Sequence, residues 1–124
     1  MTYDLVTFGE TMIRLSPPQF LRLEQTTCLE VHIGGSELNV AVTAQRLGLK
    51  TAYVTRLTRN PLGRMIANKA REHGVDTSHI VWTDGDRGGL YFVEFGASPR
   101  PSAVLYDRRD SAMARIRPGE VDWN

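Results

Sequence analysis

Two adjacent glycines, Gly34 and Gly35, constrain the fold of this chain more than any other feature of its sequence. They separate an alternating apolar segment that ends at Ile33 from a helix-forming segment that begins at Ser36. Glycine reaches φ > 0 and lets other groups approach bare backbone, and serine is a common helix cap. The first amides of a helix point into the preceding turn, which favours a polar ligand there. The pattern predicts strand, turn and helix, and a plain structural turn remains the alternative.

Two helices have clear predicted ends. The first begins with Ser36 as its N-cap and ends before Gly48. The second begins with Asn60 as its cap and Pro61 at its first position, and it stops at Gly74. The apolar spacing predicts a buried face on each helix. These faces consist of Val40, Ala41, Ala44 and Leu47 in the first helix and of Leu62, Met65, Ile66 and Ala70 in the second.

Apolar, β-prone segments lie between these helices. Residues 4–8 read as a short buried strand, residues 51–57 as a second strand, and residues 75–82 as the region of a third. Because strands alternate with helices, the sequence predicts an α/β fold with a parallel sheet. Glu10 would then lie at the carboxyl end of the first strand, where open α/β sheets bind ligands. A solvated turn acid is the alternative for Glu10.

A β-hairpin is predicted after the third strand. Its strands are residues 90–95 and 103–108, and the loop between them contains two prolines. Because side chains alternate along a strand, Tyr106 and Arg108 share a face, and Tyr91 can share that face across the hairpin. Two phenols and a guanidinium could therefore converge on one ligand. An aromatic cross-strand pair with a surface arginine is the alternative.

Composition excludes several classes of function. The 124 residues carry a net charge of +1 with scattered basic residues, which argues against a nucleic-acid partner. No segment approaches the roughly 18 apolar residues of a membrane span, so we expect no membrane partner and a cytoplasmic protein. The single Cys28 permits no internal disulfide and is expected to be buried or half-buried. His32, His73 and His79 fall in different elements, so no metal site is predicted.

These features together resemble the PfkB or ribokinase family of carbohydrate kinases. The resemblance rests on the paired glycines, on Asn39 four residues later, and on the run Asn60-Pro61-Leu62-Gly63. Within that family, the chain is most similar to the 2-keto-3-deoxygluconate kinase branch. The segments that carry this narrower match are F-G-E-T-M-I-R-L, G-G-S-E-L-N-V-A, G-L-Y-F-V-E-F and V-L-Y-D-R-R-D-S-A.

The resemblance implies an α/β, ribokinase-like fold, in which a small β lid covers a doubly wound parallel sheet. Residues 1–124 would form the amino-terminal part of one such domain. Its core would lie at about residues 3–10 and 36–83, and its lid strands at about residues 11–33 and 89–110.

The same resemblance implies an activity and a binding site. The activity is the ATP-dependent phosphorylation of 2-keto-3-deoxygluconate or a related sugar, with ATP and Mg as cofactors. The implied partners are a small sugar acid and a second copy of the chain, bound through the β lid. Together with the weaker candidate Glu10, the substrate-binding residues would be Gly34, Gly35, Asn39, Tyr91, Tyr106 and Arg108.

The sequence also departs from the family pattern. Thr58-Arg59-Asn60 replaces the usual Gly-Asp-Asp or Gly-Glu-Asp, and Asp107 stands where an aromatic residue is common. The chain contains neither the Gly-x-Gly-Asp motif that carries the catalytic base of the family nor a P-loop. We therefore expect no catalytic residue in this chain, an ATP site mostly outside it, and an inactive fragment or truncated product. The alternatives are a non-catalytic sugar-binding or dimerising module and a remnant without a ligand.

Overall fold

A computed structural model describes residues 2–124, which form eight short strands, two α-helices and one 3₁₀ turn. The strands are β1 (Leu5–Phe8), β2 (Met12–Ser16), β3 (Glu30–Gly34), β4 (Thr51–Val54), β5 (Arg56–Thr58), β6 (Val81–Thr83), β7 (Leu90–Glu94) and β8 (Ala103–Asp107). The helices are α1 (Ser36–Arg46) and α2 (Pro61–Glu72), and the 3₁₀ turn is Met113–Arg115.

The core strands are parallel, as predicted. β1 pairs with β4, and β5 pairs with β6. Only Thr55 separates β4 from β5, and its carbonyl accepts a hydrogen bond from the Val81 amide at 2.9 Å. These strands therefore lie side by side and are joined through α1 and α2, which confirms the strand, helix, strand, helix order.

The expected burial of β1 and that of Cys28 are both wrong. β1 is half-exposed, with Val6 and Phe8 open to solvent, because it pairs only with β4 and packs against α1. Cys28 is exposed rather than buried. It precedes β3, an edge strand that also leaves Val31 exposed.

The remaining strands form a four-stranded sheet in the order β3-β2-β7-β8. β2 is antiparallel to β3 and parallel to β7, and β8 is antiparallel to β7. One face of this sheet carries Ile13 and its partners Ile33 and Leu90, which belong to the hydrophobic core. The other face carries Arg14 and its partner Tyr91, and Tyr91 is in turn paired with Tyr106. We call this second face the tyrosine face.

The core consists of two clusters of buried side chains. One cluster joins the four-stranded sheet to α2 through Ile13, Leu57, Ile66, Ala67 and Ile80. The other joins both helices to the parallel strands through Leu38, Ala41, Tyr53, Ala70 and Val75. The four-stranded sheet is therefore fixed against α2 along one face, which leaves the tyrosine face directed away from that cluster.

The start and buried face of α1 differ from the prediction. Gly35, not Ser36, is the N-cap, and no side chain caps the helix. Leu38 and Ala41 are the buried residues, whereas Val40 is 52% and Leu47 79% exposed. Apolar residues occur all around this helix, so the sequence period alone does not select the face that packs on the sheet.

The ends of α2 are as predicted. The Asn60 side chain accepts a hydrogen bond from the Gly63 amide at 2.8 Å, and Pro61 occupies the first helical position. Gly48 and Gly74 follow α1 and α2 with φ of 101° and 86°, the left-handed conformation that ends many helices. The predicted inner face is right for Ile66 and Ala70 and wrong for Leu62 and Met65, which are exposed. Gly63 and Ala67 are buried in their place because α2 packs through a stripe of small residues.

Candidate functional site

A buried phenol holds the turn between β1 and β2 in place. The Tyr53 hydroxyl donates to the Gly9 carbonyl at 2.8 Å and lies 2.6 Å from Thr11 Oγ1. Tyr53 is fully buried, and this burial raises its pKa to about 12. The phenol therefore stays a neutral donor over the physiological range and fixes the backbone on both sides of Glu10.

Gly34 and Gly35 lie against this turn but do not adopt φ > 0. Gly35 is extended, with φ of −177°, and Gly34 is not in the left-handed region either. The expectation of φ > 0 is therefore wrong, and close packing explains the glycines instead. A Cβ on Gly34 would collide with the Tyr91 hydroxyl. A Cβ on Gly35 would lie 2.9 Å from both the Glu10 carbonyl and Thr11 Oγ1.

The structure brings Tyr91, Tyr106 and Arg108 together at one end of the tyrosine face. Tyr91 and Tyr106 are register partners, and their rings are stacked with centroids 5.8 Å apart and an interplanar angle of 27°. The Arg108 Cζ lies 5.8 Å from the centroid of the Tyr106 ring. Since the Tyr91 hydroxyl reaches Gly34, these three side chains and the glycine turn form one continuous surface, which we call the glycine–tyrosine surface.

Glu10 joins this surface through an ion pair. Arg108 Nη2 lies 2.6 Å from Glu10 Oε1, and the Ser111 hydroxyl donates to Glu10 Oε2. The Glu10 side chain is 12% exposed and the Arg108 side chain 49% exposed. Glu10 is thus a paired, mostly buried carboxylate, which differs from the solvated turn acid considered for this position.

Asn39 occupies a different place. It lies one turn into α1, is exposed, and donates its backbone amide to the Gly35 carbonyl at 2.9 Å. It borders a cleft between β3 and the two helices, together with His32, Ile33 and Lys69. The lining of this cleft does not include Tyr91, Tyr106 or Arg108. Of the predicted sugar-binding residues, Asn39 alone is not part of the glycine–tyrosine surface.

A second ion cluster holds the loop before β7. Arg56 Nη1 lies 2.7 Å from Asp86 Oδ2, Arg56 Nε lies 3.1 Å from Glu120 Oε1, and Arg115 Nη1 lies 3.1 Å from Asp86 Oδ1. Hydrogen bonds from Arg115 and Thr83, together with nearby Arg56, lower the pKa of Asp86. This cluster anchors the loop that leads to Gly89, whose backbone lies beside Glu10.

Sequence reasoning missed three residues that shape the site. Tyr53 and Thr11 act through contacts that link residues 42 positions apart, which no local pattern reveals. Ser111 lies inside the segment V-L-Y-D-R-R-D-S-A, so the family resemblance marked its segment without assigning it a role. All three support side chains or backbone that contact the glycine–tyrosine surface.

The described residues hold neither a cluster suited to a metal ion nor a helix suited to a membrane. Within residues 2–124, no group of three or more His, Cys, Asp or Glu side chains is arranged to hold a metal ion. None of the helices described is long and apolar enough to cross a membrane.

Comparison with known proteins identifies the class of the fold and then the family. The structure matches 2-dehydro-3-deoxygluconokinase from Thermotoga maritima with a TM-score of 0.92 and 47% identity, over 96% of this chain and 36% of that one. The fold is therefore the α/β, ribokinase-like fold, of which this chain contains the amino-terminal portion. The model of the pfkB family carbohydrate kinases matches residues 2–123. The chain belongs to the PfkB family of carbohydrate kinases.

Other relatives agree with this assignment. A 2-dehydro-3-deoxygalactonokinase from Haloferax volcanii is 49% identical over 121 residues, which are 98% of this chain and 38% of the relative. A PfkB family carbohydrate kinase from Listeria grayi has a TM-score of 0.87 and 43% identity, over 90% of this chain and 35% of that one. The chain thus spans less than two fifths of the length of these relatives, and it is similar to a 2-dehydro-3-deoxygluconokinase and to a 2-dehydro-3-deoxygalactonokinase.

Proposed function

We propose that this chain supplies the sugar-binding part of a kinase that phosphorylates 2-keto-3-deoxygluconate or a related sugar acid with ATP. The observation that carries the proposal is the stacked pair of Tyr91 and Tyr106, with Arg108 beside it and the Tyr91 hydroxyl above Gly34. In this proposal a sugar lies on the glycine–tyrosine surface. The phenols hydrogen-bond its hydroxyls, and the four-stranded sheet serves as the lid that excludes water.

The proposal favours a sugar that bears a carboxylate. Arg108 uses only Nη2 for its contact with Glu10, and within residues 2–124 neither Nη1 nor Nε has a hydrogen-bond partner. The planar guanidinium can therefore present further donors to a carboxylate, in the paired geometry that arginine prefers. A neutral ketose offers no charge to these donors, so it gains less from Arg108.

ATP and Mg enter through the family, whose members bind ATP. The described residues do not fit either group. The acidic cluster before β7 is already neutralised, because Asp84 pairs with Arg59 and Asp86 pairs with Arg56 and Arg115. The sequence also contains neither Gly-x-Gly-Asp nor a P-loop. In this proposal, the chain binds and orients the sugar, and we assign no step of phosphoryl transfer to its residues.

A second candidate function is a dimerising module. β8 lies at the edge of the four-stranded sheet, and Val104, Leu105 and Tyr106 are all exposed there. An unpaired edge strand with apolar side chains is a ready surface for pairing with another chain. In this proposal two copies associate through the four-stranded sheet to form a homo-oligomer, with or without a bound sugar.

A chimeric enzyme tests the kinase proposal. Residues 2–124 replace the matched segment of the Thermotoga maritima kinase, whose fold they share with a TM-score of 0.92. Phosphorylation is then measured by coupled ADP release, with 2-keto-3-deoxygluconate and with fructose as the neutral control. We expect a clear preference for the sugar acid.

A binding measurement on the 124-residue chain complements the chimera. Addition of 2-keto-3-deoxygluconate should shift the amide resonances of Gly34 and Gly35 and the ring resonances of Tyr91 and Tyr106, whereas glucose should not. A folded chimera that prefers fructose, together with an unchanged spectrum, would overturn the sugar-acid proposal. A concentration-dependent dimer in both samples would favour the dimerising module.

A further inference from the structure

We infer that Glu10 is a positioning residue, which holds the Arg108 guanidinium in place for the ligand and does not itself bind sugar. Ser111 is its partner in this role. The inference rests on the proposed function, because it assigns a task to residues of the same surface. It changes the role of Glu10 from the weak substrate contact suggested by family resemblance to a support beneath Arg108.

Both carboxylate oxygens of Glu10 already have a protein partner. Oε1 accepts from Arg108 Nη2 at 2.6 Å, and Oε2 accepts from the Ser111 hydroxyl. The Gly89 backbone packs against both partners, since a Cβ on Gly89 would lie 2.9 Å from Glu10 Oε2 and 3.4 Å from the Arg108 Cβ. A carboxylate that is mostly buried and already accepts a hydrogen bond on each oxygen serves to orient its partners.

The support under Glu10 is itself rigid. Ser111 is 1% exposed, and its neighbour Ala112 donates its amide to the Arg87 carbonyl at 2.8 Å. The Ala112 carbonyl accepts from Arg56 Nη1 at 2.9 Å. On the opposite side, the hydrogen bond from Tyr53 to the Gly9 carbonyl fixes the turn that carries Glu10. The carboxylate is therefore anchored from both the core and the segment after β8.

Arg108 needs such a support. It follows the last residue of β8, and its side chain is half-exposed. A free arginine of this kind samples many rotamers, and ordering them upon binding reduces affinity. Because Nη2 is held by Glu10 while Nη1 and Nε stay without partners in residues 2–124, the guanidinium is oriented and still able to bind an anion. The pair thus prepares the site before the ligand arrives.

The first test requires no sugar. In the ¹⁵N-labelled chain at low temperature, a guanidinium that is held in place rotates slowly and gives separate Nη1 and Nη2 resonances. The resonances of Arg108 are identified as those that disappear in Arg108→Lys. We expect Glu10→Ala to merge the two Arg108 resonances and Ser111→Ala to broaden them. Glu94→Ala is the matched control, because Glu94 pairs with Arg100 instead, and it should leave the Arg108 resonances unchanged. If Glu10→Ala does not fold, Glu10→Met, which roughly keeps the length of the side chain but offers Arg108 no carboxylate oxygen, provides the same comparison.

The second test separates positioning from structure. In the chimeric enzyme, Glu10→Ala should raise the KM for 2-keto-3-deoxygluconate about tenfold with little change in kcat. Glu10→Gln, which still accepts from Arg108, should recover part of that loss. The kinetics with fructose should change little.

The inference is wrong if Glu10→Ala leaves the Arg108 resonances separate. It is also wrong if Glu10→Ala lowers the KM, which would mean that Glu10 competes with the ligand for Arg108. A wild-type chimera that ignores sugar acids would refute the proposed function alone, since the resonance test does not depend on it.

Discussion

The hydroxyl of Tyr91 occupies the space in which a side chain at residue 34 would begin, so Tyr91 can adopt this position only because residue 34 is glycine. This contact links the end of β3 to β7 across the intervening strand β2. It also means that the shape of the glycine–tyrosine surface depends on both partners. A change at the turn should therefore be detectable at the aromatic pair.

The first prediction concerns this contact. Gly34→Ala should displace Tyr91 from its stack with Tyr106 and cost about 1 kcal/mol of stability, the low end for an overpacked site, because the group it meets is the tip of a side chain. The ring resonances of both tyrosines and urea denaturation report the two effects. Gly88→Ala is the control, since it meets open space without a left-handed φ. Unchanged ring resonances in Gly34→Ala would contradict the prediction.

The second prediction concerns the buried phenol of Tyr53. Tyr53→Phe removes a donor from the Gly9 carbonyl and a partner from Thr11, so it should destabilise the chain by about 1–3 kcal/mol. Tyr106→Phe, which removes an exposed hydroxyl, should be nearly neutral in the same denaturation experiment. In an absorbance titration of the folded chain, one tyrosine should titrate near pH 12 and disappear in Tyr53→Phe. Equal stability losses in the two variants would refute the assignment.

The third prediction is a pH dependence. Arg115, Thr83 and Arg56 lower the pKa of Asp86 in the folded state, so its charged form stabilises the fold. That contribution is fully present above the unfolded pKa of about 3.9 and is lost as the pH falls through the lower folded value. Stability should therefore decline below about pH 4. Asp86→Asn should flatten this decline, whereas Asp110→Asn, at an exposed position with φ of 54°, should not. Identical acid profiles for wild type and Asp86→Asn would show that the ion cluster adds nothing.

The fourth prediction asks whether Arg108 recognises charge. In the chimeric enzyme, Arg108→Ala should lower kcat/KM for 2-keto-3-deoxygluconate. The loss of transition-state stabilisation should be about 2–5 kcal/mol, the usual value when one member of a desolvated charge pair is removed. The loss for fructose should be far smaller. Equal losses on both sugars would mean that Arg108 shapes the surface without reading the carboxylate.

The order of elements could be predicted because its signals are local. Asn60 and Pro61 open α2, and glycines with left-handed φ follow both helices. The buried face of α1 could not be predicted in the same way. Leu38, Val40, Ala41 and Val42 cover most of its circumference, and only the position of the sheet selects Leu38 and Ala41 for burial.

The candidate site could likewise be predicted where its signals are local, and not where they depend on contacts distant in sequence. Period-two counting placed Tyr106 and Arg108 on one face, and the register of β7 with β8 brings Tyr91 opposite Tyr106. The contact between Glu10 and Arg108 joins residues 98 positions apart, so no spacing rule reveals it. For Gly34 and Gly35, the sequence predicts φ > 0, and this expectation is wrong. Steric contact with neighbouring groups, not φ, explains why these positions lack side chains.

The crossings between the parallel strands and the four-stranded sheet all lie at one end of that sheet. Residues 9–11 lead into Met12, Gly34 leads out through Gly35, and residues 84–89 lead into Leu90. The register places Met12 beside Gly34 and Ile13 beside Leu90, so these crossings fall on one line. The chain therefore connects the sheet to the parallel strands and helices along a single side, while Ile13 on one face of the sheet packs into the cluster that includes Ile66 of α2. At the opposite end of the sheet, a hydrogen bond joins two loops, because Arg100 in the loop after β7 donates to the Phe20 carbonyl in the loop after β2. The glycine–tyrosine surface lies at this line of crossings, so the connections of the chain on both sides fix its geometry, whereas the loops after β2 and β7 lie at the opposite end of the sheet.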